Sequence, residues 1–205
     1  FPALSALHRR TRLCSARPRL ARNQFAGRSA ESRARTYRFG RARRAGAETT
    51  APVAQPAGKQ TLSYGSDKLQ NLDFYPAANG NKRAPLVVFV HGGFWRAQDR
   101  NYLPLLTGLY ANVGASLAAR GFTTFVISYR LHPEVRGPGM VADVVAALRF
   151  ARRRAADFGG DPTQLFLAGH SAGAHLAALI GGDPALGGGP IAGVIALSGI
   201  YDLRG

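Results

Sequence analysis

Five consecutive residues, Gly169-His170-Ser171-Ala172-Gly173, carry the residue types of nucleophilic catalysis at close spacing. A serine hydroxyl attacks a carbonyl carbon when a neighbouring base takes its proton. Small residues two before and two after the serine allow the sharp turn that pushes the hydroxyl out of the chain. Gly169 and Gly173 meet that need. The pattern alone is weak in a chain with 25 glycines, so its setting has to decide. The apolar run Leu165–Ala168 enters the turn, and the Ala- and Leu-rich stretch Ala172–Ile180 leaves it. Strand, turn, helix is the setting of a nucleophile elbow. The helix start also brings backbone N–H groups close to developing negative charge.

The elements that must hold this elbow are legible as periodicities. Thr61–Tyr64 and Leu69–Tyr75 read as two strands around a Gly65-Ser66-Asp67 turn, forming an antiparallel edge. Leu86–Val90 and Thr123–Tyr129 are continuous apolar runs, as expected of strands buried on both faces. Tyr102–Arg120 reads as a helix. Val141, Val144, Val145, Leu148 and Ala151 follow helical spacing, with Pro138 near the start of that helix. Ile191–Leu197 closes the series as a further strand. Strands alternating with helices imply a mostly parallel sheet with helices on both faces.

A second motif, His91-Gly92-Gly93-Phe94-Trp95, directly follows the strand Leu86–Val90. Glycines there let a substrate approach the main chain closely. With this motif the chain resembles the α/β-hydrolase superfamily, in its HGG-motif carboxylesterase and kynurenine formamidase-like branch. Supporting stretches are Ser128-Tyr129-Arg130-Leu131, Phe158-Gly159-Gly160-Asp161-Pro162, and Ser198-Gly199-Ile200-Tyr201-Asp202-Leu203. The likeness covers residues 61–205. It implies an α/β-hydrolase fold missing its last strands and helices. It assigns the nucleophile to Ser171 and the elbow to Gly169, His170 and Gly173. It assigns the oxyanion donors to Gly93, Phe94 and Ala172, with Gly92 as the permissive backbone. His91 is expected to shape the loop by hydrogen bonding rather than to act as the base. Phe94 departs from the HGGG form of lipases and esterases.

The implied reaction is hydrolysis of carboxylic esters through an acyl-enzyme, on a small-molecule ester or amide, with no metal or organic cofactor. Arylformamidase action on N-formylkynurenine and methylesterase action on a prenylated cysteine are same-chemistry alternatives. A non-catalytic binding module of the same fold is an alternative of another class. The base and its orienting acid should follow the serine in the order acid, then histidine. After Ser171 stand only His175, four residues into the helix and expected to point away from the base position, and the carboxylates Asp183 and Asp202. His132 precedes the serine and is in the wrong order. The chain is therefore read as part of a longer enzyme, and these 205 residues alone are expected not to turn over an ester. The first residue, Phe1, is not a methionine, in keeping with that reading.

Charge divides the chain further. Residues 1–50 hold thirteen Arg, no Lys, and only Glu31 and Glu48 as acids, and so carry +11 of the net +16. Such a segment buries too little apolar surface to offset chain entropy. Its Arg- and Ser-rich composition fits a mitochondrial or chloroplast transit segment, and a plain disordered tail fits as well; without targeting, a cytoplasmic location is expected. No nucleic-acid motif accompanies the basic run. Residues 51–60, with Pro52, Pro56 and Gly58, read as a linker to the domain at 61–205. The lone Cys14 excludes an internal disulfide, and no apolar run reaches the roughly 18–20 residues of a membrane span.

Overall fold

A computed structural model describes residues 57–102 and 109–202. The basic segment, linker residues 51–56 and the first half of the Tyr102–Arg120 stretch lie outside the described residues. Strands β1 (Gln60–Ser63), β2 (Asn71–Tyr75), β3 (Ala84–Val90), β4 (Thr123–Ile127), β5 (Gly160–His170) and β6 (Gly193–Leu197) form one sheet. Their order is β1-β2-β4-β3-β5-β6. The expected antiparallel edge is present: β1 pairs with β2, and β2 with β4, in antiparallel register. The β4-β3-β5-β6 portion is parallel.

Among the described residues, three α-helices cover the sheet: α1 (Leu109–Ala119), α2 (Gly137–Arg153) and α3 (Ala172–Gly182). Side chains alternate across a strand, so each apolar run feeds two cores. Leu86, Val88 and Val90 of β3 join Phe125, Leu165 and Leu167 beneath α2 and α3. Val87 and Phe89 face the other way and pack with Val126, Ala168 and the α1 residues Tyr110 and Ala118. This two-sided burial is why the parallel strands read as unbroken hydrophobic runs.

Strand β5 is longer than its apolar run. It starts at Gly160, pairs Gly160 and Asp161 with Ala84 and Pro85, and then skips to Leu165 opposite Leu86. The skipped residues are folded onto Asp161, whose carboxylate accepts from Thr163 N at 2.9 Å and Thr163 Oγ1 at 2.6 Å. The Gly160-Asp161-Pro162 part of the Gly-Gly-Asp-Pro stretch thus belongs to the strand, which hydrophobicity does not reveal.

Two further polar fastenings brace opposite ends of the sheet. Arg130 forks onto the buried Asp143 of α2 at 2.9 and 2.6 Å, and Gln70 adds a bond at 2.7 Å. Burial would raise the Asp143 carboxyl, but the bonds from Arg130 and Gln70 outweigh it and hold the group below the usual carboxylate range. Arg152, in the last turn of α2, donates to the carbonyls of Gly188 and Pro190 and so fixes the connection into β6. Strand β6 ends the sheet, with Val194, Ile195 and Leu197 exposed. None of the helices among the described residues is long and apolar enough to cross a membrane.

Core and edge should respond differently to truncation. Leu167→Ala, at a fully buried position of β5, is expected to destabilise the domain by about 2–5 kcal/mol. Val194→Ala, on the exposed edge, should stay within about 0.5 kcal/mol. Urea midpoints of the two variants check this.

Candidate active site

Ser171 sits at the junction of β5 and α3, with φ 53° and ψ −118°. A non-glycine residue at positive φ is strained, and such strain persists where the surroundings over-determine it. Here both sides are pinned. Ser171 N–H donates to Leu197 O of β6 at 2.8 Å, and Ser171 O accepts from His175 N at 3.1 Å. The flanking glycines are required by contact. A Cβ on Gly173 would overlap the Val90 and His91 carbonyls, and one on Gly169 would overlap the Gly173 backbone. The chain can turn this tightly only because α3 lies bare against the end of β3.

The same closeness brings the glycine loop to the serine. Val90 and Gly169 are register partners, so the segments after β3 and β5 leave the sheet side by side. A Cβ placed on Gly92 would lie 3.1 Å from Ser171 Cβ and 3.0 Å from His170 O. Gly93 (φ 114°), Phe94 (φ 54°), Trp95 (φ 61°) and Gln98 (φ 74°) all hold positive φ. This loop is irregular by construction: Gly93 O accepts both Arg96 N and Ala97 N at 3.0 Å, curling the chain back on itself. The N–H groups of Gly93, Phe94 and Ala172 have no acceptor among the described residues.

His91 is fully buried and stacks on Tyr129 at 4.5 Å. Its Nδ1 donates to Gly92 O at 2.6 Å, and Tyr129 Oη donates to His91 O at 3.1 Å. Burial pushes the imidazole down to about 4, so it is neutral at pH 7. That is the geometry of a loop brace, as the resemblance implied.

The His175 ring meets Trp95 edge-on at 5.4 Å, and its Nδ1 donates to Ile200 O at 2.6 Å. It lines a cavity of about 710 Å³ with Phe94, Trp95, His132, Met140 and Leu179. The cavity walls are mostly apolar, and Ser171 is not among the lining residues. His132 joins that wall through a bond from its N–H to Trp95 O at 2.8 Å. Neither imidazole is hydrogen-bonded to Ser171 Oγ among the described residues. Asp183 Oδ1 accepts from Ala185 N at 2.9 Å in the turn after α3, away from the serine. Asp202 is exposed beyond β6.

The BD-FAE family model matches residues 72–185, more than half of the chain and the whole span from β2 to the end of α3. The chain belongs to the BD-FAE family, an α/β-hydrolase family. Esterase LipC of Mycobacterium tuberculosis is 39% identical over 124 residues, which cover 60% of this chain and 29% of that protein. Isoprenylcysteine alpha-carbonyl methylesterase ICME of Arabidopsis thaliana is 34% identical, covering 58% of this chain and 26% of that protein. The kynurenine formamidase of Meyerozyma guilliermondii is 33% identical, covering 59% and 42%. The chain thus spans well under half the length of these relatives. Among solved structures, Thermogutta terrifontis esterase 2, phosphoramylated by tabun, matches with a TM-score of 0.51 and 28% identity, over 60% of this chain and 46% of that one.

Within this BD-FAE domain, several residues that hold the site carry no sequence signal. Arg100, 8% exposed, donates to Asn71 Oδ1 and to Ser128 Oγ at 3.2 Å and pairs with Asp73 at 2.9 Å. It ties the far end of the glycine loop to the antiparallel edge. Tyr110, at the start of α1, bonds the loop itself. In sequence both are ordinary members of a polar loop and an amphipathic helix. Only the partners, distant along the chain, reveal their task.

The buried His91 gives this domain a pH dependence. Its folded value of about 4 lies below the ordinary value of 6.5. The unfolded chain therefore binds a proton between these values that the folded chain refuses. Stability is fully present above pH 6.5 and declines as pH falls from 6.5 toward 4, by up to about 1.4 kcal/mol per unit from this group. Denaturant unfolding at pH 7 and 4.5 should show the decline, and His91→Asn should flatten it.

Proposed function

We propose that the protein containing this chain hydrolyses carboxylic esters through an acyl-enzyme formed on Ser171. The observation carrying this reading is the strained elbow serine held directly against the Gly92-Gly93 loop. Ser171 Oγ attacks the carbonyl carbon, and the carbonyl π electrons move onto oxygen. The N–H groups of Gly93, Phe94 and Ala172 stabilise that oxyanion, a term commonly worth 10²–10³ per donor. Collapse expels the alcohol and leaves the acyl group on Ser171; water then releases it. The α3 N-terminus adds its dipole to the same charge. The proton acceptor is a histidine oriented by a carboxylate, placed after the serine as the family resemblance implies.

The similarity to LipC and to an esterase phosphoramylated by tabun supports ester chemistry. The apolar cavity beside Phe94 and Trp95 supports a substrate with a sizeable apolar group. Similarity to a kynurenine formamidase and to a prenylcysteine methylesterase supports the two neighbouring substrate classes, N-formylkynurenine and a methyl ester.

A fluorophosphonate probe should label the whole enzyme at Ser171, and Ser171→Ala should take no label and lose at least ~10⁴-fold in kcat. Equal labelling of the alanine variant would sink the proposal. Relative kcat/KM on N-formylkynurenine and short p-nitrophenyl esters ranks the substrate classes.

A further inference from the structure

A single buried hydroxyl joins the glycine loop to the serine elbow. Tyr110 is the second residue of α1 and is 2% exposed. Its Oη accepts the Gly92 N–H at 2.9 Å. It also lies 3.3 Å from Gln98 Oε1 and 3.3 Å from His170 Nδ1. These partners come from three places: the opening of the loop, its far side, and the residue before Ser171. Gly92 lies close to both the hydroxyl and the serine: a Cβ on Gly92 would stand 3.1 Å from both Tyr110 Oη and Ser171 Cβ.

The stoichiometry of a hydroxyl makes this arrangement directional. It has one proton to give and two lone pairs. Gly92 N–H occupies one lone pair. Gln98 Oε1 can only accept, so it takes the hydroxyl proton. His170 Nδ1 then carries a proton and donates to the second lone pair. Every capacity is used, and each partner holds one orientation. Burial raises the Tyr110 hydroxyl, so it stays neutral and able to donate. The Gly92 N–H bond to Tyr110 fixes the plane of the His91–Gly92 peptide, and the bonds from Arg96 N and Ala97 N to Gly93 O hold the part of the loop that follows.

We propose that Tyr110 is a positioning residue for the reaction at Ser171. Its hydroxyl locks the Gly92 peptide to the elbow at His170 and thereby holds the Gly93 and Phe94 N–H groups at a constant distance from the serine. The role rests on the serine-hydrolase reading above. It acts on the transition state, where the oxyanion forms, and leaves ground-state binding in the cavity alone. A loss of alignment should therefore appear in kcat and not in KM.

Tyr110→Phe in the whole enzyme keeps the ring, which lies 5.9 Å from both Phe89 and His91, and deletes the hydroxyl. On a p-nitrophenyl ester, kcat should fall about 10–100-fold with KM within about twofold. The fluorophosphonate labelling rate should fall in parallel, since the P–O⁻ group uses the same donors. Tyr64→Phe is the control: it deletes another hydroxyl, bonded to Ser128 O at 2.7 Å, and should leave both rates unchanged. Gln98→Leu removes only the proton acceptor. It should lower kcat by a smaller factor, and it serves as the test should Tyr110→Phe fail to fold. A folded Tyr110→Phe with kcat and labelling near wild type overturns the positioning role, as does a rise in KM at constant kcat. A wild-type enzyme that takes no label at Ser171 overturns the hydrolase reading, and the positioning role with it.

Discussion

The contact on which the rest of the site depends is bare backbone against bare backbone, where Gly173 of α3 rests on the Val90 and His91 carbonyls. No side chain fits there. That closeness forces Ser171 into a positive-φ conformation at the strand–helix junction and sets its hydroxyl at the carboxyl end of the parallel strands. It also decides how near the glycine loop comes, since β3 supplies both the carbonyls under α3 and the start of the loop. The candidate nucleophile and the candidate oxyanion donors are thus placed by one packing event rather than by two independent loops. Strain at Ser171 is offset by the hydrogen bonds of its own N–H and C=O to β6 and α3.

Around this contact the structure uses polar fastenings where hydrophobic packing cannot reach. Loops expose main-chain donors and acceptors that burial would leave unpaired. His91, Tyr110 and Tyr129 each satisfy such groups at the start of the glycine loop, and Arg100 anchors its far end through the side chains of Asn71, Asp73 and Ser128. Their bonds lead to β2, β4 and α1, so the loop is referenced to the whole sheet. A preorganised oxyanion site needs this, because donors that must reorient at the moment of reaction contribute little.

The sequence made the scaffold legible wherever burial imposes a period. Both faces of β3 and β4 are covered, so their apolar runs stand out, and the glycines of the elbow and loop stand out because contact excludes side chains. Polar turns hid the rest. Residues 162–164 of β5 are a carboxylate-capped bulge, invisible to hydropathy. The direction of His175 follows from Trp95 and Ile200, residues it meets only in the fold. Tyr110 carried no signal for the same reason: its three partners lie 12 to 60 residues away in sequence. Substrate class was legible only to the level of the carbonyl chemistry, because the cavity wall joins the loop after β3, the start of α2 and one face of α3, which only the fold brings together.

The most direct test is peptide mass spectrometry of the whole enzyme, acid-quenched milliseconds after mixing with p-nitrophenyl butyrate. The account predicts a butyryl group on the peptide containing Ser171, appearing with the first equivalent of p-nitrophenol. Full turnover with Ser171 unmodified at every time point would contradict it.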